Sequence, residues 1–231
     1  MPWSDHQSYV YVAIPKTGST STVATLKKLH RKHGGKLLLQ TEKVDRAFRN
    51  KYGLNSIGDK QPGKAKHLSA LQLKYILGKR YDRCFRFTMV RNPWARTVSR
   101  YHFHHVDFMP SEEEKIRRGT SRKFHNLNFE EWVEKRWKRW RTKKSRYRTQ
   151  LSKIVDKDGQ ILVDYIGRLE TFQDSFNHIC DQLRLPHIET EYRNWTKKEH
   201  YSELYNNRIR DMVHEMCAED IDYFNYEFEQ R

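Results

Sequence analysis

An apolar run of aromatic and β-branched residues, YVYVAI at 9–14, gives way within a few positions to TVATLKKLH, which carries helical spacing. Between them lie Lys16, Gly18 and four hydroxyl residues, Thr17, Ser19, Thr20 and Ser21. A strand that stops in such a turn and restarts as a helix limits the available folds more than any other stretch of the chain. The first amides of a helix lack intrahelical partners, and the helix dipole adds partial positive charge there. Lys16 adds a full charge, the hydroxyls add donors, and Gly18 lets the backbone come close. The turn therefore suits a phosphate-like anion. It is not a Walker A loop, because Lys16 precedes the glycine and no carboxylate stands where magnesium would need one. The bland alternative is an ordinary Ser/Thr-rich helix cap.

The alternation continues. Residues 36–40 (KLLLQ) suggest a second strand, and a polar, glycine-containing loop runs over about 41–67. Ser69 can cap a short helix, ALQLKYIL, that Gly78 ends. CFRFTMV at 84–90 is a strand that leads into RNPWARTVSRYHFHH, where Pro93 suits a first helical turn. A helix is expected over 129–140, a strand over 160–166, an amphipathic helix over 170–183 and final helices over 203–216 and 220–224. Strands alternating with helices predict an α/β fold with a parallel sheet covered on its faces. There are no repeats and no Gly/Ser/Pro linker, so one domain is expected over 1–231.

The strand at 84–90 ends in VRNPWARTVSRY. Arg91 falls at the carboxyl end of that strand, where open α/β sheets bind ligands. Ser99 follows eight residues later, about two helical turns on. The two can meet one phosphate. Alternatively, Arg91 pairs with a carboxylate and Ser99 faces solvent.

Taken together, IPKTGSTS and VRNPWARTVSRY resemble the two signatures of the sulfotransferases that use 3′-phosphoadenosine-5′-phosphosulfate (PAPS). The resemblance is nearest to the carbohydrate branch that holds the chondroitin, dermatan and heparan 2-O enzymes. It extends to YRTQ at 147–150, to DYIGRLETFQDSFNHI at 164–179, and to the segment 197–228, which ends in the family's D-x-x-x-F-x-Y-x-F manner. Five motifs stand in the family's order over nearly the whole chain.

The resemblance implies a P-loop-like three-layer α/β/α fold with a central parallel sheet. It implies transfer of a sulfuryl group from PAPS to an acceptor hydroxyl by in-line displacement, leaving PAP and needing no metal. Lys16 would stabilise the leaving phosphate, and residues Thr17, Gly18, Ser19, Thr20 and Ser21 would hold it. Arg91 and Ser99 would hold the 3′-phosphate. The acceptor hydroxyl needs a base. His67, in KHLS, resembles the family's short G-H-[VLF]-[ST] stretch, with Lys66 where that stretch has glycine. A neutral imidazole, ordinarily titrating near ~6.5, can take the proton; the alternative is a solvent-exposed histidine in a basic loop. Arg148 and Gln150 are candidates to reach nucleotide or acceptor. Arg168, expected in a loop after the third strand, is a candidate for the adenine side. Thr196, Lys197 and Lys198 match a segment that closes over the nucleotide.

Lys and Arg number 45 against 29 Asp and Glu, a formal charge of +16, which suits an anionic partner without choosing one. RWKRWRTKKSRYR at 136–148 holds eight of these cations in thirteen positions, interleaved with aromatics. It suits an acidic glycan or nucleic acid, or is a helix with Trp137 and Trp140 toward the core and charges in water. HFHH at 102–105 lacks matching ligands for a metal. Cys84, Cys180 and Cys217 are widely spaced and odd in number, and read as reduced thiols. No apolar stretch is long enough for a membrane span and the N-terminus is not a signal peptide, so a soluble, cytoplasmic chain is expected, or a Golgi-lumenal one if this is a trimmed catalytic domain. A glycan is the expected acceptor and nucleic acid an unfavoured partner. Two alternatives stay open: a nucleic-acid-binding protein that keeps a nucleotide fold without catalysis, and a sulfotransferase for tyrosyl peptides or small alcohols.

Overall fold

The computed structural model describes residues 2–4, 9–33, 38–39, 67–105, 126–143, 149–190 and 200–230. Two compact units emerge: Met1–Arg91 with Gln150–Thr196, and Asn92–Thr149 with Lys197–Arg231.

The first unit holds a five-stranded sheet. Its strands are β1 (Pro2–Ser4), β2 (Tyr9–Val12), β3 (Leu38–Leu39), β4 (Phe85–Val90) and β5 (Tyr165–Arg168), in spatial order β3-β1-β2-β4-β5. The central strands β2, β4 and β5 run parallel, while β1 is antiparallel to both β2 and β3. Helices α1 (Ser19–His33), α2 (Ala70–Leu77), α3 (Lys79–Arg83) and α6 (Phe172–Gln182) belong to this unit. The fold is thus α/β with a central parallel sheet, as expected.

Period-2 alternation explains the sheet's core. Tyr9 and Tyr11 of β2 and Phe87 and Met89 of β4 join Leu26 and Leu29 of α1 and Phe172, Phe176 and Ile179 of α6 in one buried cluster. Val10, Val12, Thr88 and Val90, which point the other way, are buried too. Burial on both faces is what a parallel sheet requires. Each fully buried aromatic or aliphatic side chain here contributes about 1.5–3 kcal/mol.

Local signals set several boundaries. Ser69 and Gln72 form a reciprocal capping box at the start of α2, and Gly78 ends it. The expected strand over 160–166 is displaced: β5 occupies Tyr165–Arg168, and Ile161 makes only an isolated bridge to Val155. The Asp164 carboxylate accepts the Arg86 backbone N–H at 2.7 Å and the Arg86 guanidinium as well. The Asp164 N–H also donates to the Arg86 carbonyl at 2.7 Å, and the paired residues follow from Tyr165 opposite Phe87. All three cysteines are free and buried. Burial, with Asp181 beside it, pushes the Cys180 thiol up to about 11, which keeps it protonated at neutral pH.

The second unit is helical: α4 (Pro93–His104), α5 (Phe129–Lys143) and α7 (Asn207–Phe224), with a 3₁₀ turn over Tyr201–Leu204. Asn92 caps α4 through the Trp94 and Ala95 amides, with Pro93 in the first turn. The two expected C-terminal helices are one continuous helix. Met216, Cys217, Asp220, Ile221 and Phe224 share its buried side at helical spacing, so nothing breaks it. Asp220 is fully buried and lies 3.6 Å from the buried Arg96. Trp132 and Val133 are the buried residues of the middle of α5, whereas Trp137 and Trp140 are half-buried. Trp137 donates to Glu215, and Lys135, Lys138, Arg139 and Arg141 are exposed.

Candidate active site

The turn between β2 and α1 occupies residues 15–18. Lys16 (φ 70°) and Gly18 (φ 75°) both take the left-handed conformation, on either side of Thr17. For a lysine this costs about 1–2 kcal/mol, a cost met characteristically at ligand-binding turns. Left-handed residues in such a turn aim successive amides into a concave, anion-binding surface. No acidic residue occupies the first turn of α1.

The hydroxyls divide by role. The Thr17 hydroxyl donates to the Ile14 carbonyl at 3.1 Å and is fully buried. It ties the turn back to the residue that precedes it. The Thr22 hydroxyl donates back to Gly18, and the Thr25 hydroxyl to Ser21. Ser19 and Ser21 are buried and Thr20 is exposed.

Gly18 is fixed by what lies above it. A Cβ at this position would fall 2.4 Å from Leu169 Cδ1. Leu169 follows directly on β5 and donates its N–H to the Val90 carbonyl. Its role was not evident beforehand, although it sits within the GRLE stretch already singled out.

His67 joins this turn. Its Nδ1 lies 2.9 Å from the Ala13 carbonyl, at the end of β2. A carbonyl only accepts, so this bond calls for the proton on Nδ1, and the neutral ring then carries its lone pair on Nε2. The His67 carbonyl accepts from Lys153 Nζ at 2.8 Å. The ring is partly buried, so it is not a histidine in open solvent.

Arg91 sits just past β4. Its N–H donates to Gln150 Oε1 at 2.9 Å and its carbonyl accepts from Gln150 Nε2 at 2.8 Å. Gln150, a candidate for nucleotide or acceptor contact from sequence, is fully buried and spends its amide on this pairing instead. Arg168 is the last residue of β5, not part of the following loop, because it pairs with Val90 of β4; its backbone N–H also donates to the Ser175 hydroxyl, which donates to its carbonyl. Its side chain is exposed.

Ser99 lies half-buried on α4 in the second unit. Arg148, Thr196, Lys197, Lys198 and the 144–148 part of the basic run lie outside the described residues. In HFHH, His105 is buried against Tyr101 at 4.8 Å and His104 meets Phe103 edge-on. No cluster of His, Cys, Asp and Glu suited to a metal occurs among the described residues. None of their helices is long and apolar enough to cross a membrane.

No curated protein matches the chain. A family model described as "Sulfotransferase family" (Sulfotransfer_2) matches residues 3–227. That span includes the left-handed turn after β2, the histidine fastened beside it, and Arg91 just past the neighbouring parallel strand. The chain belongs to the sulfotransferase family, whose general chemistry is sulfuryl transfer.

Proposed function

We propose that residues 1–231 form one sulfotransferase domain that uses PAPS and sulfates a hydroxyl of a carbohydrate. The observation that carries this reading is the fastening of His67 to Ala13, three residues before Lys16. It brings a candidate base to the same strand end as the candidate cation. The turn also fits the donor's phosphate in kind. It offers helix-start amides, left-handed backbone, a lysine and no carboxylate in the first helical turn.

Bound there, PAPS supplies an activated sulfuryl group: the acceptor oxygen bonds to sulfur while the bond to the 5′-phosphate breaks, and that phosphate keeps the electron pair. Lys16 neutralises charge at the bridging position. The backbone of Thr17 and Gly18, with Ser19, Thr20 and Ser21, holds the phosphate. His67 Nε2 accepts the acceptor's proton, and the Ala13 carbonyl keeps the ring in the tautomer that can do so. Arg91 and Ser99 are assigned to the 3′-phosphate, and Arg168 and Lys197 to the remainder of the nucleotide, on the motif resemblance. The exposed cations Lys135, Lys138, Arg139 and Arg141 favour an acidic glycan.

Calorimetry with PAP, then transfer from radiolabelled PAPS to a panel of glycans, tyrosyl peptides and small alcohols, tests the reading. Micromolar PAP binding and label in a glycan are expected. His67→Ala should lower transfer by about 100-fold or more while leaving PAP affinity unchanged. A folded protein that ignores PAP sinks the proposal, and label in peptide alone removes the carbohydrate part.

A further inference from the structure

Residues Gln150 and Lys153 stand three apart: Gln150 directly precedes a short 3₁₀ turn over Leu151–Lys153, and Lys153 ends it. From this one segment two contacts reach the two halves of the candidate site. Gln150 takes both backbone groups of Arg91, and Lys153 takes the carbonyl of His67. His67 in turn holds Ala13 at the end of β2. Arg91 and His67 are distant in sequence and sit on different connections of the sheet. We propose that residues 150–153 are a positioning clamp. Gln150 sets where Arg91 begins its departure from β4, and Lys153 sets where the imidazole of His67 sits.

Arg91 lies one residue beyond the last hydrogen-bonded residue of β4. The ladder no longer fixes its backbone, and a side-chain amide replaces the missing strand with one donor and one acceptor. That amide is fully buried, so removing it takes two hydrogen bonds from the Arg91 backbone at a site away from bulk water. Lys153 Nζ makes a charge-assisted bond to a main-chain carbonyl, a stronger restraint than a neutral donor supplies. The segment is itself anchored, because Ile154 is fully buried and its carbonyl accepts the Leu162 N–H at 2.8 Å. Gln150 and Lys153 touch neither donor nor acceptor in this scheme and act through Arg91 and His67.

The inference rests on the functional reading above, and the test separates the two. PAP and AMP, which lacks the 3′-phosphate, are titrated calorimetrically into wild type, Arg91→Ala and Gln150→Leu. Wild type should prefer PAP, Arg91→Ala should lose that preference, and Gln150→Leu should lose about tenfold of it while still binding AMP. If Arg91→Ala keeps the preference, the assignment of Arg91 is wrong and the clamp falls with it. If Arg91→Ala loses the preference but Gln150→Leu keeps it, or loses both nucleotides equally, the clamp alone is overturned. Should Gln150→Leu not fold, Gln150→Glu takes its place, keeping an acceptor for the Arg91 N–H and removing the donor to its carbonyl. For the second arm, nitrogen-detected NMR reports the His67 tautomer, assigned with His67→Ala. Lys153→Met should convert a single Nδ1-protonated form into a mixture, and Lys153→Arg should restore it. An unchanged tautomer in folded Lys153→Met would overturn this half.

Discussion

Leu169 Cδ1 occupies the space that a side chain at position 18 would need, 2.4 Å from an ideal Cβ on Gly18. The glycine is therefore favoured by its φ of 75°, and any side chain there would also have to displace the end of Leu169. Leu169 also packs against the central core cluster, so it links the turn at Gly18 to the interior.

Gly18→Ala should destabilise the protein by about 1–3 kcal/mol, part strain and part overpacking. PAP affinity should drop at least about tenfold. Leu169→Ala in the same chain should return the packing part and not the strain. A double-mutant cycle by urea denaturation measures the split. Strict additivity would mean that the two residues do not meet.

Lys16→Gly separates stability from function. Glycine relieves the left-handed strain at φ 70° but gives the unfolded chain more freedom, and the two effects oppose each other. The unfolding free energy should stay within about 1 kcal/mol of wild type, read by thermal denaturation. Sulfuryl transfer should fall by about 100-fold or more if Lys16 stabilises the leaving phosphate. Equal transfer by the glycine variant would remove Lys16 from that role.

The Arg86–Asp164 pair gives a pH signature. Burial pushes the Asp164 carboxyl up, but hydrogen bonds from Arg86 outweigh it and hold the group below its ordinary value. A lowered folded-state value means the contribution is complete above the unfolded-state pKa, near ~3.9. It disappears as pH falls through the lower folded value. Asp164 is 35% exposed, so water screens the pair and about 1 kcal/mol is expected. Urea midpoints of wild type and Asp164→Asn should differ at pH 6 and converge as pH drops below about 4. A difference that grew on acidification would contradict the sign.

The parts of this protein that the sequence could announce are those held by neighbours in the chain. The turn around Lys16, the helix Ser19–His33, the Ser69–Gln72 box and Asn92 ahead of Pro93 all depend on bonds between residues a few positions apart. Their chemistry is legible without a fold. Tertiary structure alone decided which distant partner each polar group takes. Just ahead of β5, the Asp164 carboxylate takes the backbone N–H of Arg86, 78 residues away. One helix spans Asn207–Phe224 because its buried stripe continues without a break, with Asp220 beside Arg96. Gln150 turned from a ligand candidate into a partner for the Arg91 backbone, and Lys153 carried no signal at all. Local periodicity reports how a segment folds. A buried hydrogen bond between segments reports only where the packed core has left a donor and an acceptor face to face, and that is settled when the elements assemble.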